Sequence, residues 1–154
     1  MSERVKAPKT TKHLTELQAM VRGERSGPPI AELLGLRFVE IRLGTSTMEM
    51  QAERRHANPM GTLHGGVICD LADAAMGTAM ATTLEDDESF TTLDLTTKFF
   101  KPIWDARIRA AASVVKRTRT LGLVECDVVD DKDSLVARVY SSCMVLRGQD
   151  AKGR

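Results

Sequence analysis

Asn58-Pro59-Met60-Gly61-Thr62-Leu63-His64-Gly65-Gly66 runs directly into Val67-Ile68-Cys69-Asp70-Leu71-Ala72-Asp73-Ala74-Ala75-Met76-Gly77, and the fold follows from how the two pieces differ. Pro59 and Gly61 interrupt regular structure, and Gly65 and Gly66 free the backbone. A run of Ala, Met, Leu and Val then holds helical character for about five turns, from Val67 to about Leu84. A loop thus delivers polar groups onto a helix start. At about 100° per residue Ile68, Leu71, Ala72, Ala75 and Ala79 share one arc and face a core. Asp73 lies opposite, among Gly66, Cys69, Met76, Gly77 and Met80, with Asp70 the one other charge. A surface helix would show Lys, Glu and Arg there, so this outer face is expected to be covered by another subunit. A carboxylate among Met, Cys and Gly loses hydration, which raises its pKa and suits it to acid–base work.

The 154 residues are enough for one domain with a real core, and an apolar content of 42% fits a globular chain. Lys plus Arg number 22 against 21 Asp plus Glu, a formal charge of +1, which lacks the basic footprint of a nucleic-acid binder. Any anionic ligand must therefore be met by a local patch. Cys69, Cys126 and Cys143 are odd in number and lie inside apolar runs, which argues for small core residues in a reducing compartment and against a disulfide framework. No apolar run approaches the ~20 residues of a membrane span. The polar stretch Met1 to Lys12 has no hydrophobic signal region behind it, so a cytoplasmic location without membrane association is expected. Three scattered histidines offer no metal constellation, and no Gly-x-Ser-x-Gly elbow is present.

Asn58, the Gly61-Thr62-x-His64-Gly65-Gly66 run, Leu71-Ala72-Asp73 and Ala75-Met76-Gly77 together resemble the hotdog-fold acyl-CoA thioesterases of the phenylacetate-degradation type. The similarity extends from roughly Pro29 to Leu146. The resemblance implies an α+β hotdog fold, in which a curved antiparallel sheet wraps one long central helix. It also implies dimers joined edge to edge through their sheets, commonly paired as dimers of dimers into homotetramers. In such enzymes the acid at the Asp73 position is general base or nucleophile, and the glycine at Gly65 supplies an oxyanion amide. The residues at Asn58 and His64 orient the thioester, and a hydroxyl residue at Thr92 positions water in some members. Acyl-CoA is the implied substrate, and no cofactor is implied.

The rest of the chain agrees with that architecture. A basic lead and a short amphipathic helix on Leu14, Leu17 and Met20 occupy residues 1–28, the main domain residues 29–147, and a polar tail without a packing signal residues 148–154. Ile30 to Leu36 makes a second short helix with Ala31, Leu33 and Leu34 buried and Gly35 as its stop. Phe38 to Met50 reads as a hairpin bending near Leu43-Gly44. Phe90 to Pro102 alternates Leu93, Leu95, Thr97 and Phe99 against Thr92, Asp94, Thr96 and Lys98 as a two-faced strand. Three more strands follow at Arg107 to Lys116, Leu121 to Val129 and Leu135 to Leu146.

Thioester hydrolysis requires oxyanion donors, a carboxylate and a slot for a long anionic thiol. The Gly65 amide at the helix start has no intrahelical acceptor and lies at the positive end of the dipole. Lys116, Arg117 and Arg119 form a basic hairpin corner suited to the phosphates of coenzyme A. His56 lies on the loop before the motif and is a further candidate. Two other functions remain open: a hotdog dehydratase or hydratase acting through histidine, and a noncatalytic acyl-CoA-binding module. Gly65 and Asp73 differ by 73 minus 65, or 8 positions, roughly 12 Å along one helix, too far for both to reach one carbonyl carbon. Two antiparallel copies of the helix about a two-fold axis would set Asp73 of one chain beside Gly65 of the other, so a homodimer with shared active sites is expected.

Overall fold

The computed structural model describes residues 10–153. Residues 1–9, most of the expected basic lead, and Arg154 lie outside the described residues. Two short helices, α1 (Lys12–Val21) and α2 (Pro29–Leu34), precede a six-stranded sheet. Gly35, at φ 71, terminates α2 in the left-handed conformation that glycine adopts without penalty. The strands are β1 (Arg37–Arg42), β2 (Thr45–Gln51), β3 (Glu88–Phe99), β4 (Arg107–Arg117), β5 (Leu121–Val129) and β6 (Leu135–Arg147). Every neighbouring pair is antiparallel, in the order β1-β2-β4-β5-β6-β3, so β1 and β3 are the sheet edges.

The central helix, α3, spans Gly65–Ala81. It begins two residues before the expected Val67 because His64 caps it, its Nδ1 accepting the Gly66 amide proton at 2.8 Å. It ends where hydroxyls take the last carbonyls. Thr82 Oγ1 donates to Ala79 O at 2.6 Å, and Thr83 Oγ1 donates to Met80 O at 2.7 Å. Glycines within a helix cost about 1 kcal/mol each relative to alanine. Burial offsets this: Leu71, Ala72, Ala75 and Ala79 are completely enclosed and Ile68 nearly so. The sheet curves around this helix as an α+β unit, as expected. Met48, Ala110, Val128 and Ala137 form one buried row across β2, β4, β5 and β6. The small side chains of Ala110 and Ala112 let α3 approach β4 closely.

Four details differ from the expectations. Met76 and Met80 are fully buried in their own chain instead of lining an open outer face. The sheet curls over the C-terminal half of α3, where Gly122 of β5 leaves room for the Met80 thioether, which a Cβ at that position would strike. Leu33 is 69% exposed, because the single turn and a half of α2 turns Ala31 to the core and Leu33 away from it. In β3 the register shifts between Thr92 and Asp94, so Leu93 is an extra, outward residue that breaks the simple alternation. Residues 148–151 of the tail form a 3-10 turn lying against β3 and β6.

Candidate active site

Strand β3 lies along the outer face of α3, and glycines set how closely. The Phe90 ring packs where a Cβ on Gly77 would stand, 3.4 Å away, and the Phe99 ring does the same at Gly65, at 3.1 Å. Between these contacts Thr97 Oγ1 and Cys69 Sγ lie 3.3 Å apart. The bulge keeps Thr92 turned toward the helix while Leu93 points out. Asp94 pins it, its Oδ1 accepting the Ser142 amide proton at 3.0 Å and its carbonyl the Ser141 hydroxyl at 2.9 Å.

Asp73 projects from the middle of α3 into the mouth of a cavity of about 380 Å³, which Thr92 and Phe90 of β3 also border. Its carboxylate is exposed in the single chain. Among the described residues it has no hydrogen-bond donor or cationic partner. Partial burial against the cavity wall, and secondarily the negative charge of Asp70, hold its carboxyl above the ordinary range. An unpaired carboxylate with raised proton affinity is chemically a base or nucleophile.

The loop before the helix is built by Asn58. Its Oδ1 accepts the amide protons of Met60 at 2.9 Å and Thr62 at 3.2 Å, and its Nδ2 donates to Thr62 Oγ1 at 2.8 Å. The Asn58 side chain is thus engaged in shaping the turn that presents His64. Because His64 Nδ1 accepts an amide proton, the neutral ring carries its proton on Nε2, in an exposed position from which it can donate. The neighbouring Gly65 N–H has no acceptor among the described residues. It borders a second cavity of about 350 Å³ with Phe99, Phe100 and Lys101. Asp73 does not border that one.

His56 is buried, not on a solvated loop. Its Nδ1 accepts the Glu53 amide proton at 3.2 Å, and its carbonyl accepts that of His64 at 2.9 Å. Desolvation, with the nearby Arg55 charge, lowers its pKa, so it serves as a neutral brace beneath the loop. At the β4–β5 corner Lys116 and Arg119 are exposed. Arg117 turns inward, its guanidinium 2.7 Å from the buried carboxylate of Glu88, which Arg147 also engages. Sequence reasoning misses that ion-pair cluster, because Glu88 follows Glu85, Asp86 and Asp87 with nothing local to mark it as buried. Its signal was the presence of two arginines at strand ends that meet only through non-local pairing. Cys69, Cys126 and Cys143 are free thiols. Among the described residues no cluster of three His, Cys, Asp or Glu side chains is disposed to hold a metal ion, and no helix is long and apolar enough to cross a membrane.

A long central helix wrapped by a six-stranded antiparallel sheet is the hotdog fold. The chain belongs to the Thioesterase superfamily, which residues 60–137 match. It is similar to AziG of S. sahachiroi, at 30% identity over 80% of this chain and 100% of that one, with a TM-score of 0.75. It is also similar to a substituted form of the phenylacetic acid degradation protein PaaI of Thermus thermophilus, at 27% identity over 76% and 98% of the two chains, with a TM-score of 0.72. Among curated proteins, a 1,4-dihydroxy-2-naphthoyl-CoA hydrolase of Listeria monocytogenes is 22% identical over 116 residues, 75% of this chain and 93% of that one. The protein is accordingly a hydrolase of acyl thioesters.

Proposed function

We propose that the protein hydrolyses acyl-CoA to a free acid and coenzyme A, with Asp73 as the working carboxylate. The observation that carries this reading is Asp73 itself: unpaired, held above the ordinary carboxylate range, and placed at the mouth of a largely apolar cavity. As general base, Asp73 takes a proton from water as the oxygen attacks the thioester carbonyl. The Gly65 amide and the Nε2–H of His64 hold the developing oxyanion, and Thr92 positions the water. Collapse breaks the C–S bond, and the departing thiolate recovers the proton from Asp73. Attack by Asp73 itself would give an anhydride that water then cleaves. Turnover in oxygen-labelled water reports on the second route, because label enters the Asp73 side chain only when water opens that anhydride at the Asp73 carbonyl.

Asn58 acts as a positioning residue for the loop. The coenzyme A phosphates are assigned to the β4–β5 corner through Lys116 and Arg119, with Arg117 anchoring the corner through Glu88. The roughly 12 Å along α3 between Gly65 and Asp73, and their borders on different cavities, support a homodimer in which each site takes Asp73 from one chain and Gly65 from the other. Pairing of such dimers and a cytoplasmic location complete the reading, the latter supported by three free thiols. A hydratase is less well supported, since His56 and His64 both spend Nδ1 on backbone amides.

The test is release of thiol from a panel of acyl-CoA esters, followed with a thiol-trapping dye. Wild type should turn over several members, and Asp73→Ala should lose at least roughly 10²-fold while keeping its oligomeric state. Binding without turnover in wild type, or near-normal rates in Asp73→Ala, would sink the reading.

A further inference from the structure

The cavity beside Asp73 takes much of its wall from chain that the family match does not reach. The match covers residues 60–137, whereas Leu17 of α1, Ile30 and Ala31 of α2, and Phe38 of β1 line the same cavity as Asp73. This outer wall is fastened to the body. The Lys12 amide donates to Asp86 Oδ1 at 2.9 Å, Gln18 Nε2 donates to Ile41 O at 3.3 Å, and Leu14 is buried beneath α1. The lining is chemically lopsided: among the described residues its side chains are apolar apart from two threonines and the carboxylates of Asp70 and Asp73. Asp70 precedes Asp73 by three residues, so the two acids share one face of α3.

We propose that the wall formed by residues 17–38, together with Asp70, selects the acyl group: an uncharged, apolar acyl or aryl group, with groups ending in a carboxylate turned away. This rests on the reading of Asp73 as the hydrolytic carboxylate, because a carbonyl carbon placed there leaves its acyl chain facing this cavity. An apolar cavity of about 150 Å³ takes one benzene ring, so about 380 Å³ accommodates a one- or two-ring aryl group or a medium linear chain. Each methylene buried against the wall raises the selectivity about fourfold. A terminal carboxylate meets no cation among the described lining residues and enters between an apolar wall and two like charges, so it is both desolvated and repelled.

The test measures kcat/KM for acetyl-, hexanoyl-, benzoyl- and glutaryl-CoA in wild type, Leu17→Trp, Ile30→Trp and Asp70→Asn. Wild type should prefer hexanoyl- or benzoyl-CoA over glutaryl-CoA by at least about tenfold. Each Trp variant fills the cavity and should lower the hexanoyl-to-acetyl ratio by about tenfold. Ile30 is 49% exposed, so Ile30→Trp reads the wall even where Leu17→Trp fails to fold. Asp70→Asn should raise the glutaryl-to-hexanoyl ratio. Every readout is a ratio between substrates on one enzyme. A glutaryl preference in wild type, or equal effects of the Trp variants on all four esters, overturns the selection while leaving hydrolysis standing. Failure of wild type to hydrolyse any ester overturns the underlying reading and the selection with it.

Discussion

Burial of one side of Asp73, and Asp70 beside it, raise the affinity of its carboxylate for a proton, and the consequences for rate and for stability have opposite signs. In the unfolded chain the group titrates near the ordinary value of about 3.9. In the folded chain it titrates higher, so between those two values folding takes up a proton, and stability rises as pH falls through the folded value. The penalty is therefore present above the raised folded value and absent below about 4. Asp73→Asn should melt at a higher temperature than wild type at pH 7, and that advantage should disappear on acidification to about pH 4. The same substitution should remove most turnover, and wild-type kcat/KM should decline as pH falls through the raised folded value. Paired melting curves and pH–rate profiles check both signs. A lower melting temperature for Asp73→Asn at pH 7 would mean that the charge is stabilised by a partner.

The elements show which parts of the molecule were legible in sequence. Helix α3 was, because Ile68, Leu71, Ala72, Ala75 and Ala79 repeat at its period and all are buried. Strand β5 was read with the bounds observed, Leu121–Val129, because its alternation is unbroken. Strand β3 was read only in part: a bulge adds one residue at Leu93 without any glycine or proline to mark it, so Leu93 was grouped with Leu95 although it faces outward. Met76 and Met80 were misplaced for a different reason. A helical wheel reports direction but not how far the sheet curls, and here the sheet closes over one half of the helix face. Glu88 was missed because its partners, Arg117 and Arg147, lie at the ends of two other strands. Burial alone would raise the Glu88 pKa, but the Glu85 amide, Arg147 and Arg117 outweigh it and hold the carboxyl below its ordinary value. Its contribution to stability is thus present above the ordinary carboxylate value and lost as pH falls through the lowered folded value. Glu88→Gln leaves two arginines without their buried partner and should cost about 3 kcal/mol at pH 7. Urea unfolding at pH 7 and at progressively lower pH checks this, with the difference from wild type expected to shrink on acidification.

At the scale of the whole molecule, one chain separates its two chemical groups, with the Gly65 amide on one cavity and the Asp73 carboxylate on another. In the proposed dimer a two-fold pairing of α3 helices would bring them together, and Phe99 and Phe100, both largely exposed near the end of the edge strand β3, are available to be covered in such a pair. Each group can be deleted with little disturbance. Asp73→Asn keeps the side-chain shape. Gly65→Pro removes the N–H at the first helical position, where proline is well tolerated, and His64 before it already has the extended backbone that a following proline requires, at φ −63 and ψ 131. Gly65→Ala keeps the amide and serves as the control for the added Cβ beside Phe99. The most direct measurement unfolds and refolds the Asp73→Asn and Gly65→Pro chains together in equal amounts and assays acyl-CoA hydrolysis. Native mass spectrometry confirms that mixed dimers have formed. Half of randomly paired dimers are mixed, and each carries one intact site of two, so two inactive parents should together recover about a quarter of wild-type activity. Mixed dimers that form and stay inactive would contradict the shared site.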